Sequence, residues 1–415
     1  MINPQIHRSQ LANGITVLTI VNPSADIVSG KLFIPAGSRW EPSDRSGLAH
    51  LLASLLTKGT ERLSALEIAD RIESVGAGLG ADATTDYIQL SLKTVREDLT
   101  DIFKLAGEIL RTPSFPTEQI ELERKLTLQA IKSQTEQPFN NAYRQLRCSL
   151  YGEHPYARSP LGTIATVSEI TRQDLINYHQ THIRPDRLII CLAGRITPAE
   201  AIDLVKRVFG DWETPPTAPP TLATLTVSTQ PQERSVHQAT QQAIVMLGYL
   251  APAIHDPDCI ALKLINSYLG NGMSSRLFVE LREKRGLAYD VSAFYPTKLD
   301  TSHFAAYMGT AASNTSVAVS SLRAEIERLC ITQLSATELQ SAKDRLLGQY
   351  ALGKQTNGQL AQTYGRYELM GLDVDFDRQF SERIQKLTPA QVKTVAAQYL
   401  SEPYISIVSP LGDKN

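Results

Sequence analysis

Apolar and polar positions along the chain follow two periods. The runs ITVLTIV, VSGKLFIPA, TDYIQLSLK and RLIICLAG are rich in β-branched and other apolar residues and end at turn-forming residues, so they predict strands. The stretches 49–57, 65–75, 99–111, 117–136 and 172–181 return apolar residues every three or four positions and predict helices. Strand hairpins interleaved with long helices predict an α+β fold in which each mixed, mostly antiparallel sheet has one face covered by helices.

The pattern breaks at 214–221, TPPTAPPT, where Pro215, Pro216, Pro219 and Pro220 forbid a helix interior and favour a stiff extended connector. The break falls at mid-chain, and the two sides match. ITRQDLINYHQTHIRPDRLIICLAG from Ile170 pairs with LTPAQVKTVAAQYLSEPYISIVSP from Leu387 at an offset of 217. Both read as a Thr cap, an amphipathic helix, a proline-bearing turn and a short strand. LSALEIADRIESVGAGLGADA from Leu63 pairs with MSSRLFVELREKRGLAYDVSA from Met273 at an offset of 210. Two matches in order at nearly equal offsets predict a duplication. The expected division is an N-terminal domain at 1–213, a Pro-rich linker at 214–222 and a homologous C-terminal domain at 223–415.

Length and charge fit this plan. A chain of 415 residues exceeds one ordinary hydrophobic core. A formal charge of −2 offers no basic field for nucleic acid or an anionic membrane. No run approaches the roughly 18 apolar residues of a membrane span, and MINPQIHRSQLANGITVLTIV has no cationic lead, so a cytoplasmic location is expected. Cys148, Cys191, Cys259 and Cys330 lie far apart and read as reduced core thiols.

Candidate chemistry begins in GLAHLLASLLTKGT at 47–60. A helix that holds a zinc ion and activates water carries two imidazoles at i and i+4 with a glutamate at i+3, since those positions share one face. Here the five positions are His50, Leu51, Leu52, Ala53 and Ser54. The base is replaced by a methyl group and the second imidazole by a hydroxymethyl. His50 therefore reads as a hydrogen-bonded histidine on a helix whose Leu48, Leu51, Leu52, Leu55 and Leu56 pack inward. His179 and His182 have i,i+3 spacing but no carboxylate in register, and read as packing residues. Arg124 and Lys125 read as solvated charges.

The stretches AGSRWEPSDRSGLAHLLASLLTKGT, YGEHPYARSPLGT and GMSSRLFVELREKRGLAYDVSAFY, taken in order, resemble the pitrilysin and mitochondrial processing peptidase family of zinc peptidases across essentially the whole chain. Half-length members of that family consist of two homologous α+β domains, and two subunits close around a chamber that admits peptides. The resemblance implies a third zinc ligand, a glutamate about 76 residues beyond the second histidine; that count leads from Ser54 to Ala130. Glu123 matches the family's supporting acid and cannot hold an ion alone. No metal is expected in this chain, since a zinc site needs at least three protein ligands.

The resemblance also implies an arginine and a tyrosine, seven apart, that grip substrate and the developing oxyanion from the half opposite the zinc. LREKRGLAY places Arg282 and Tyr289 at that spacing, with Gly286 as the expected left-handed helix end. By the 210-residue offset their counterparts are Ile72 and Leu79, so the shared fold does not demand a polar pair there. The turn at 271–275, beginning at Asn271, reads as a helix cap. The implied function is a non-catalytic, substrate-binding subunit of a heterodimeric zinc metalloendopeptidase. It would act on extended peptides beside a homologous zinc-binding partner subunit, with the zinc in that partner. Two alternatives stand beside it: a scaffold subunit like the core proteins of the respiratory cytochrome complex, and an independent peptidase with another metal site.

Overall fold

The computed structural model describes residues 5–222, 225–270 and 272–410. In chain order the first half forms β1 (Ile6–Gln10), β2 (Thr16–Val21), β3 (Ile27–Ile34), α1 (Leu48–Leu56), α2 (Ala65–Glu73), β4 (Gly78–Ala83), β5 (Ile88–Val95) and α3 (Leu99–Arg111). It continues through α4 (Thr117–Glu136), α5 (Pro138–Tyr151), α6 (Ile164–Glu169), α7 (Arg172–His182), β6 (Ile189–Gly194) and α8 (Pro198–Phe209). The second half forms β7 (Glu233–Gln238), β8 (Gln242–Ala251), α9 (Cys259–Gly270), a π-helical turn (Phe278–Glu283), β9 (Asp290–Phe294) and β10 (Ser302–Ala311). It ends with α10 (Thr315–Ile331), α11 (Ala336–Leu352), α12 (Asn357–Leu369), α13 (Phe376–Lys386), α14 (Pro389–Tyr399) and β11 (Tyr404–Pro410).

Among the described residues one sheet runs β1-β2-β6-β3-β5-β4 and the other β7-β11-β8-β10-β9. β2 and β6 pair in parallel, as do β7 and β11; the other neighbours are antiparallel. Apart from the extra edge strand β1, both sheets thus have one order and one parallel pair, as a duplicated unit requires. The helix ends agree with it. α7 and α14 begin 217 residues apart, each behind a threonine whose hydroxyl accepts from the third helical N–H while that residue's side chain accepts from the threonine N–H. Such caps contribute about 1 kcal/mol each.

The chain divides into two compact units that are discontinuous in sequence. The first comprises Met1–Ile131, Ser159–Thr224 and Ala351–Val374; the second comprises Lys132–Arg158, Leu225–Tyr350 and Asp375–Asn415. A cut at the proline run alone would give two contiguous halves, whereas each observed unit also takes a helical segment from the opposite half. The strand pattern explains why. On β2 and β6, Val17, Ile190 and Leu192 face a core built with α1, α3, α7 and α8, while Leu18, Ile20, Cys191 and Ala193 point the other way and are equally apolar. In the first unit α12 covers that second face with Leu360, Ala361 and Tyr364. It approaches so closely at Gly365 that a methyl group there would overlap the Phe33 ring.

In the second unit α5 plays the equivalent part. Ala142, Leu146, Leu150 and Tyr151 cluster with Met246, Ala305, Tyr404 and Val408 from the sheet. The interface also holds a polar group. His303 on β10 is buried between two phenols of α5, its Nε2 at 2.9 Å from the Tyr143 hydroxyl and its Nδ1 at 2.9 Å from the Tyr151 hydroxyl. Tyr151 gives its proton to the Thr301 carbonyl, so it accepts from an Nδ1–H; Nε2 then accepts from Tyr143. This arrangement uses the neutral imidazole. Burial, followed by the nearby Lys298 and Arg147 charges, pushes His303 down to about 3.

The sign of the resulting pH dependence follows. The folded protein keeps His303 neutral down to about pH 3 whereas the unfolded chain protonates it near 6.5, so below pH 6.5 the unfolded state binds more protons and this group's contribution is lost on acidification. The stability margin of the native chain over H303N, measured by urea unfolding followed by circular dichroism, should shrink between pH 7 and pH 4. Y143F, which leaves Nε2 buried without a donor, should cost about 1 to 3 kcal/mol at pH 7.

Candidate functional site

α1 is set in place from its N-terminus. Gly47 sits at φ +100°, and a Cβ there would stand 2.7 Å from the Leu161 carbonyl oxygen. Gly162, at φ +75°, backs onto the Ser46 carbonyl, which also accepts from the Thr166 hydroxyl at 2.7 Å. The two quoted motifs around Gly47 and Gly162 are therefore packed backbone to backbone, an approach only glycine allows. The buried Glu41 carboxylate accepts from the first α1 amides, Gly47 N–H at 3.0 Å and Ala49 N–H at 2.7 Å, where the helix dipole favours an anion. The spacing of Leu48, Leu51, Leu52, Leu55 and Leu56 buries that face as expected.

His50 is half-buried on the opposite side of α1, and burial holds its imidazole below the usual histidine range, against the opposing pull of Glu123. Ala53 is buried and Ser54 half-buried. On α4 the inward face carries Ile120, Glu123, Thr127 and Ile131, while Ala130 is exposed. The structure thus brings Glu123 beside His50, but the carboxylate is already engaged: Lys58 Nζ lies 3.1 Å from its Oε1. Lys58, two residues short of the motif's end, and Glu41 were not singled out by the sequence reasoning; an acid ahead of an uncapped glycine start is the signal for Glu41.

Arg124 corrects an expectation. Rather than standing in solvent, it caps the end of α6, its Nη1 at 2.5 Å from the Val167 carbonyl and its Nη2 at 2.8 Å from that of Ile170. His179 and His182 are both buried. His179 Nε2 lies 2.8 Å from the Leu110 carbonyl and so carries the ring proton; the His182 ring lies against that of Tyr178, centroids 4.2 Å apart and planes tilted by 38°. Burial, then the Arg187 charge, lowers His182 to about 4.

In the second unit the segment before Gly286 is a π-helical turn, not the regular helix of the sequence reading. The Lys284 N–H reaches back five residues to the Val279 carbonyl. Gly286 does take the left-handed conformation at φ +61°, as does Gly76, its counterpart at the 210 offset. Arg282 leaves the last residues of the π turn and lies over the Phe278 ring at 5.0 Å. Tyr289 directly precedes the edge strand β9; its N–H bonds the Gly309 carbonyl at 2.8 Å, and its side chain is 62 % exposed. Among the described residues neither side chain makes an intramolecular hydrogen bond or ion pair. Of the turn at 271–275, Asn271 lies outside the described residues; Gly272 is at φ +92° and Met273 is exposed.

Two profiles of one peptidase family match successive parts of the chain. The profile described as insulinase, peptidase family M16, covers residues 16–164, and the one described as peptidase M16 inactive domain covers residues 169–346. The chain belongs to peptidase family M16. It is similar to an uncharacterized zinc protease of Streptomyces coelicolor, 29% identical over 99% of this chain and 90% of that protein. It is also similar to an uncharacterized zinc protease of Bacillus subtilis, 26% identical over 98% and 99%. The fold matches the crystal structure of a peptidase M16 inactive domain from Pseudomonas fluorescens with a TM-score of 0.92 at 23% identity, over 99% of this chain and all of that one. A protease from Helicobacter pylori gives 0.90 at 22% over 98% and 100%.

Membership of an M16 family of zinc peptidases poses the question of whether the α1 and α4 residues can hold that metal. They do not fit it. The motif positions supply one imidazole, a methyl, a hydroxymethyl and, on α4, another methyl; the nearby carboxylate is paired with an ammonium. Among the described residues no group of three or more His, Cys, Asp or Glu side chains could hold an ion.

The Arg282 and Tyr289 segment depends on one backbone conformation. Nothing lies within 4 Å of a Cβ built on Gly286, so G286A is penalised only through its positive φ. It should cost about 1 to 2 kcal/mol by thermal or urea unfolding, and G286N, which tolerates that conformation, should cost less.

Proposed function

We propose that this chain is the non-catalytic, substrate-binding subunit of a heterodimeric zinc metalloendopeptidase. The observation that carries the reading is an asymmetry. The first unit has kept one imidazole of the metal motif, while the second presents Arg282 and Tyr289 exposed and, among the described residues, free of other polar partners around a fixed glycine bend. In this reading the zinc belongs to a homologous partner subunit with a complete motif, and no cofactor is held by this chain.

Arg282 contributes a fixed cation with five N–H donors, and Tyr289 a phenol donor. Directed at a scissile carbonyl, these groups bind the oxygen more strongly as it gains negative charge, which lowers the barrier rather than merely tightening binding. The substrate class is an extended peptide, held by main-chain hydrogen bonds through strand addition in the partner. The working location is the cytoplasm.

The test is to isolate the chain with its partner from the native cell and compare peptide cleavage by each subunit and by the complex. R282A and Y289F should each lower kcat of the complex by about 10²- to 10³-fold with little change in KM. Unchanged cleavage would leave the scaffold role instead. Stoichiometric zinc in the isolated chain, together with hydrolysis, would overturn the assignment.

A further inference from the structure

Among the described residues Arg282 has no polar partner to aim it, yet it stands in a turn braced by ion pairs to α10. Arg276 Nε donates to Glu325 Oε2 at 2.8 Å, and Arg276 Nη1 lies 3.1 Å from Glu280 Oε1. Arg285 Nη2 donates to Glu325 Oε1 at 3.4 Å and its Nη1 to the Ser321 hydroxyl at 3.4 Å. Lys284 closes on Glu280 at 2.8 Å. The arginines that bracket the π turn therefore converge on one carboxylate of α10, and Glu325 is only 5 % exposed. Two cations and a buried anion make this ion pair stiff, because its desolvation is compensated only while the geometry holds. On the far side of the bend, the Thr310 hydroxyl bonds the Leu287 carbonyl at 2.6 Å and the Gly309 carbonyl takes the Tyr289 N–H.

The first repeat lacks this bracing. At the 210 offset, Arg276 and Arg285 correspond to Leu66 and Val75, both exposed, and the buried face of α3, the counterpart of α10, contains no acid. There the helix before the bend, α2, is regular and carries Ile72 where the second repeat has Arg282. The bend with its left-handed glycine forms without the carboxylate, so the fold does not need Glu325 to make it.

We propose that Glu325 is a positioning residue: by clamping Arg276 and Arg285 it holds the π turn in the register that aims Arg282 at the substrate. This rests on the proposed role of Arg282. The experiment is a double-mutant cycle on the co-purified complex, with E325Q, R282A and the pair compared in kcat per mole of assembled complex. E325Q should lower kcat by about tenfold or more, as expected for a donor moved from its productive place, and E325D should recover part of the loss. In the R282A background E325Q should have no further effect, since both act through one guanidinium. A loss that came from weaker folding would instead multiply with that of R282A.

An unimpaired E325Q beside an impaired R282A overturns the proposal alone, as do multiplying losses. An unimpaired R282A overturns both it and the reading it rests on. If E325Q assembles poorly, R285Q, which removes the more exposed arm of the clamp, is put through the same cycle with the same expectation.

Discussion

A sheet whose two faces are both apolar must be covered on both, and this constraint organises the molecule. In β2 and β6 adjacent residues are apolar, so the period-two alternation that would leave one face to water is missing. The helices that follow each strand in sequence cover one face only. The second face of each sheet is closed by a helix from the other half of the sequence: α12 in the first unit, α5 in the second. These helices begin 219 residues apart and are repeat counterparts, so the exchange is reciprocal. Burying large side chains such as Tyr364 and Leu146 contributes about 1.5 to 3 kcal/mol each, which neither half could gain from its own residues.

The polar group placed in one of these interfaces is handled as such groups must be. His303 is buried and offers two ring nitrogens that find a phenol each, with the tautomer set by the carbonyl of Thr301. Pairing of this kind specifies register as well as contributing stability, since sliding α5 by one residue would strand both nitrogens.

Much of this was legible in the sequence. The proline run, the two repeat offsets, the left-handed Gly286 and the leucine face of α1 are local signals written in residue type and spacing, and local geometry realised them. The reciprocal helix exchange was not legible, because α5 and α12 are amphipathic in ways that suit either sheet; only long-range packing decides between them. The π turn escaped for a related reason: its residues, FVELRE, have ordinary helix propensity, and the distortion arises in a turn ringed by ion pairs from distant α10. At the α1 site residue type alone sets the donor count, whereas the engagement of Glu123 by Lys58 and the role of Arg124 depend on where α4 and α6 come to rest.

The duplication supplies the strongest internal control on function. Both repeats build the same bend, with a glycine at φ +61° leading into an edge strand, and so both satisfy the demands of the fold. Where they differ, architecture cannot be the cause. The first repeat fills the positions beside its bend with Leu66, Ile72, Val75 and Leu79; the second fills them with Arg276, Arg282, Arg285 and Tyr289, and adds a buried carboxylate to hold two of the arginines. Exposed leucine and valine cost the first repeat little, while burying Glu325 imposes a desolvation penalty on the second that its ion pairs must offset. A fold that forms without that burden, yet carries it in one repeat only, is accounted for by what the braced segment presents to solvent: one guanidinium and one phenol with no polar partner among the described residues.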